Sequence, residues 1–115
     1  MADNRKYYYL KLKENFFDSD SIVLLEDMKD GILYSNILLK LYLKSLKNGG
    51  RLQLDEHIPY TAQMIATLTR HQIGTVERAL AIFQQLGLVE QLDCGLLYMT
   101  DIEQMIVPSL SLIHI

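Results

Sequence analysis

Residues 61–100 read TAQMIATLTRHQIGTVERALAIFQQLGLVEQLDCGLLYMT, and the order of elements in this stretch decides the fold. Thr61 supplies an oxygen at the N-cap position of a helix predicted over Ala62–Thr69. Arg70-His71-Gln72 or its neighbourhood makes a tight turn. A second helix follows over about Ile73–Leu86, in which Ile73, Val76, Ala79, Leu80, Phe83 and Leu86 recur at helical spacing on one side. Gly74, Glu77, Arg78, Ala81 and Gln85 are left on the other side. After Gly87, the β-rich runs Leu88–Leu92 and Leu96–Thr100 flank Asp93-Cys94-Gly95, which predicts a hairpin. Helix, turn, helix and hairpin in that order predict a helix-turn-helix with a wing.

Working outward, Arg51–Asp55 alternates apolar and polar residues and predicts a short strand paired with that hairpin, with Asp55–Tyr60 as a plain connection. Residues 32–47 carry apolar side chains around most of a helix, leaving the stripe Asn36, Lys40, Lys44 and Lys47, and Asn48-Gly49-Gly50 ends it. Asp18-Ser19-Asp20-Ser21 offers N-cap oxygens to a short extra helix over Ile22–Met28, with Gly31 suited to its end. Tyr7–Lys13 alternates as an extended arm packed on the body, and Phe16 and Phe17 follow as anchors. Residues 1–6 are polar and read as a flexible N-terminus. Asp101 is placed to cap a last helix over Ile102–Val107, stopped by Pro108. The expected class is α+β and mostly helical, a winged helix-turn-helix with an N-terminal extended arm, as one domain over residues 7–107.

Composition narrows the function. The chain has 115 residues, half of them apolar and 22% charged, with a net charge of −3, enough for one buried core. The single Cys94 cannot form an internal bridge and the N-terminus lacks an apolar signal core, so a cytoplasmic setting is expected. No apolar run approaches the ~20 residues that cross a bilayer. The acidic balance argues against an indiscriminate polyanion binder and confines any nucleic-acid contact to a local patch. Cys94, His57 and His71 show no metal-ligand spacing and there is no phosphate-binding glycine loop, so no metal, cofactor, small-molecule substrate or catalytic residue is expected.

Candidate DNA contacts lie on the outer side of helix 73–86. Arg78 suits guanine or phosphate, Gln85 an adenine edge, and Gln72 and Thr75 phosphate near the helix start. Against this, a solvated helix face carries the same residue types, and Glu77 repels phosphate. Lys40, Lys44, Lys47 and Arg51 are candidate phosphate contacts, although such a stripe is commonly the wet side of an apolar helix. The wing has no Arg or Lys, and Asp93 has the wrong sign for the minor groove, which favours protein contact. Tyr7, Tyr8, Tyr9, Phe16 and Phe17 suit packing or oligomer contact more than base stacking.

Three blocks, Tyr7–Phe17 (YYYLKLKENFF), Gly31–Ser45 (GILYSNILLKLYLKS) and Ile58–Glu90, closely resemble the N-terminal domain of phage replisome organizer proteins, relatives of the DnaD-like primosome proteins. The resemblance covers about residues 6–107. It implies a winged-helix module that engages double-stranded phage-origin DNA, self-associates, and helps recruit a helicase loader or helicase, usually followed by a further C-terminal region. An oligomerisation scaffold with little DNA binding, or a winged-helix transcription regulator, are the alternatives. Residues 108–115 are expected to be a truncated or non-native tail, because Leu110–Ile115 resembles the in-frame translation of a transposase mosaic-end sequencing adapter.

Overall fold

A computed structural model describes residues 7–107. The expectations for residues 1–6 and 108–115, including the adapter-like segment, lie outside the described residues. Over the described residues the fold is α+β, with four α-helices and two small antiparallel sheets. The helices are α1 (Asp20–Asp27), α2 (Gly31–Ser45), α3 (Ala62–Thr69) and α4 (Ile73–Gln85). The strands are β1 (Gln53–Asp55), β2 (Ile58–Pro59), β3 (Val89–Gln91) and β4 (Leu97–Met99).

α3 starts where its cap predicts. The Thr61 Oγ1 accepts the Met64 N–H at 3.1 Å, satisfying one of the free donors of the first turn. It ends on Arg70 in the left-handed region (φ 64°), with the His71 N–H reaching back to the Ala66 carbonyl at 3.0 Å. Residues 70–72 are the whole turn, and α4 packs Val76, Ala79 and Phe83 into the core with no exposure. Ile73 departs from the expected apolar side. It opens the helix at the margin of the core and stays 38% exposed, while Thr75 is buried in its place.

α2 is the central helix, burying Tyr34, Ile37, Leu38, Leu41 and Tyr42 in the core it shares with α1, α3 and α4. Each such side chain contributes about 1.5–3 kcal/mol by leaving water. The apolar side chains expected around most of α2 are not all buried: Ile32, Leu33 and Leu43 are exposed and share the outer stripe with Lys44. Gly31 is corrected too. It opens α2 instead of ending the preceding helix, because a Cβ there would stand 2.5 Å from the Leu25 carbonyl oxygen and closer still to that of Glu26. Ser35 Oγ donates to Glu26 Oε2 at 2.6 Å and pins α1 to α2 across this junction.

The expected strand 51–55 divides. Residues 50–52 lie against β4, through an antiparallel bridge of Arg51 with Tyr98, the Leu52 N–H on the Leu97 carbonyl (2.9 Å) and the Met99 N–H on the Gly50 carbonyl (2.8 Å). β1 then turns to pair with β2, so residues 55–60 are a second hairpin and not a plain connection. The Asp55 Oδ1 accepts the His57 N–H at 2.7 Å inside that turn. β3 and β4 pair in the register Val89↔Met99, Glu90↔Tyr98 and Gln91↔Leu97, and Gly95 (φ 85°) closes the connection with its N–H on the Leu92 carbonyl at 2.8 Å.

The two ends of the described chain meet. Leu10 bridges Ile106, and the Lys11 N–H donates to the Met105 carbonyl at 2.7 Å. The arm is therefore extended, and only Leu10 of its residues 7–13 is half-buried. The last helix is a short 3₁₀ turn, Ile102–Gln104, with no side-chain cap from Asp101, because the chain leaves it to make the bridge at Ile106.

Candidate nucleic-acid interface

The short turn and the burial of Val76, Ala79 and Phe83 fix which side of α4 faces out. Gln72, Glu77, Arg78 and Gln85 are exposed on or beside that side. Thr75 is not available there: it is 7% exposed and turned into the body, which corrects its place among the phosphate contacts. The Arg78 guanidinium lies back over Gly74, whose absent Cβ would stand 3.5 Å from Nη1. Its Nη2 is 4.0 Å from Asp30 Oδ2, with the two side chains 58% and 38% exposed. A pair this open is worth under about 1 kcal/mol, so it orients Arg78 without removing it from use.

The polar stripe of α2 divides between two tasks. Asn36 Oδ1 lies 2.8 Å from His71 Nε2, and the Lys40 ammonium donates to the Thr69 carbonyl at 2.7 Å. Lys40 thus satisfies a free carbonyl at the C-terminal end of α3, where the helix dipole favours a cation. The His71 imidazole is held below its usual pKa, first by burial and then by the neighbouring Lys40. One turn on, Lys44 is exposed.

Lys40 and Lys44 converge with Arg70 around an open cleft of about 370 Å³, floored by Leu43 and Leu68. The lining contains no carboxylate. Arg70 is the residue that sequence reasoning passed over, because only the left-handed turn after α3 brings it beside α2. Lys47 and Arg51 do not line the cleft. Lys47 is exposed in the 3₁₀ segment Leu46–Asn48, and Arg51 sits at the bridge with Tyr98. Burial, followed by Glu103 and Glu90, pushes the Tyr98 phenol up and Arg51 pulls it down, so Arg51 shares its surroundings with two carboxylates.

Glu90 and Gln91 are exposed along the β3–β4 hairpin, as are Asp93 and Cys94 in its turn. Phe16 packs edge-on against Tyr42 at 6.4 Å and against Phe17 at 5.0 Å, while Phe17, Tyr7, Tyr8 and Tyr9 are exposed. Among the described residues no helix is long and apolar enough to cross a membrane.

No curated protein and no solved structure matches this chain. A family model does, over residues 9–109, a span that includes all four helices and both hairpins. The chain belongs to the family of the N-terminal phage replisome organiser, a domain of phage replication initiation.

Proposed function

We propose that this domain is a DNA-binding and assembly module of phage replication initiation, a winged helix that engages origin duplex through the outer side of α4 and works with a helicase loader or helicase in the host cytoplasm. The observation that carries the reading is the juxtaposition of α3, a three-residue turn and α4, with the β3–β4 hairpin following at once. That order leaves Arg78 and Gln85 outward on a helix that a major groove admits, with Gln72 exposed at its N-cap. Fluorescence anisotropy with labelled origin and unrelated duplexes at low and moderate salt tests it. The Arg78→Ala/Gln85→Ala variant is expected to lose about tenfold of the preference for origin sequence, at the ~1–3 kcal/mol that one base contact carries. Absence of binding at low salt overturns the reading.

A second reading is an assembly scaffold, in which self-association supplies the affinity that single weak sites lack. The observation favouring it is the acidic hairpin, with Glu90 and Asp93 exposed where a DNA-binding wing carries cations. The exposed Tyr7, Tyr8, Tyr9 and Phe17 suit such contacts. Light scattering that finds a strict monomer throughout the micromolar range rules it out.

A further inference from the structure

The basic residues of this acidic chain are concentrated away from the helix expected to read the groove. The outer side of α4 has one cation, Arg78, with Asp30 4.0 Å away and Glu77 beside it in sequence. The cleft between α2 and the α3–α4 turn has three cations in its lining and no carboxylate. Lys40 is held on the Thr69 carbonyl, so its charge is fixed in place at no further cost in side-chain freedom. Lys44 and Arg70 are exposed and free to close on a ligand. Arg70 occupies the left-handed region at φ 64°, where glycine or asparagine is at ease and arginine is not. A planar five-donor guanidinium is thereby presented at the turn that leads directly into α4.

We propose that this cleft is a phosphodiester-binding site, in which Lys44 and Arg70 take the sugar–phosphate backbone of DNA, Lys40 adds charge from a fixed position, and Leu43 and Leu68 meet the apolar face of the sugars. The proposal rests on the DNA-binding reading above and moves the main electrostatic anchor from α4 to the α2 side of the turn. Binding there is independent of sequence, because backbone contacts position the protein and carry no base information.

The test uses Lys44→Gln/Arg70→Asn, since both positions are exposed and asparagine tolerates the left-handed backbone. Parent and variant are compared by anisotropy on origin duplex, unrelated duplex and a single strand of equal length over a salt series, with thermal melting as the folding control. Two lost phosphate contacts predict a fall of about 1.8 in the slope of log K against log salt, and about tenfold weaker binding to both duplexes alike. Loss on the single strand as well assigns the site to a phosphodiester of either form; loss confined to duplex assigns it to the double helix. An unchanged slope in a folded variant overturns the cleft while leaving α4 to stand on Arg78→Ala/Gln85→Ala. The reverse pattern overturns α4 and keeps the cleft. No binding by the parent at low salt overturns both, and tighter capture of polyglutamate than of an equally charged oligonucleotide overturns the phosphate assignment.

Discussion

Replacing Gly31 by alanine tests the junction that sets α1 and α2 at their present distance. In an ordinary helix the change gains up to about 1 kcal/mol, because glycine gives up more backbone freedom. Here the new methyl carbon would stand 2.5 Å from the Leu25 carbonyl oxygen and closer to that of Glu26, both rigid backbone atoms. Relief requires α1 to move away from α2, which loosens the contacts of the fully buried Leu25 and the 2.6 Å bond from Ser35 to Glu26. Overpacking of a core typically costs 1–3 kcal/mol, and two backbone obstacles place this case at the upper end, which leaves a net of about 2 kcal/mol after the gain. For a domain of this size that is a fall in Tm of roughly 8–16 °C. Thermal unfolding by circular dichroism, with urea titration to check that the slope is unchanged, measures it. A variant melting within about 3 °C of the parent would refute the close approach and the placing of Gly31 at the start of α2.

Gly74→Ala is the contrasting case, since its Cβ meets only the Arg78 side chain at an ordinary 3.5 Å, and a gain of about 0.5 kcal/mol in urea unfolding is expected. Asp30→Asn releases Arg78 while suiting the left-handed backbone at φ 64°, and should tighten duplex binding roughly two- to fivefold at low salt; unchanged affinity would place α4 away from DNA. His71 has its pKa below the usual 6.5, so the unfolded chain binds a proton at a higher pH than the folded chain does. Its contribution to stability is complete above about 6.5 and is lost as pH falls through the folded value. The urea midpoint should therefore drop as pH falls below about 6.5 in the parent and less in His71→Gln, and equal drops would count against the desolvated imidazole.

The α3 and α4 helices and the β3–β4 hairpin were legible because their signals are local. A threonine cap, a 3.6-residue apolar period and a Gly-closed hairpin connection each act within a few residues, and all three appear where expected. Gly31 was not, since glycine both ends helices and permits close approach at their starts, and only the packing of α1 on α2 distinguishes the two. The β1–β2 hairpin was hidden by Pro59, which reads as a break yet sits at a two-residue edge strand where its missing N–H costs nothing. Thr75 follows the helix wheel outward only if the core ends before it, and the core does not. The cleft is a tertiary product: Arg70 and Lys44 lie on different elements, and no spacing rule connects them. The lysine stripe was visible, but its division into a structural Lys40 and an exposed Lys44 depends on where the end of α3 falls.

The most direct test of DNA engagement is a backbone-amide NMR titration of the domain with a short duplex at low salt. The account predicts shifts concentrated at Lys44, residues 69–73 and the outward positions Arg78 and Gln85, with the Asp93–Gly95 tip of the hairpin unmoved. Shifts centred on that tip or on the exposed Tyr7–Tyr9 arm, with α4 and the cleft silent, would contradict it.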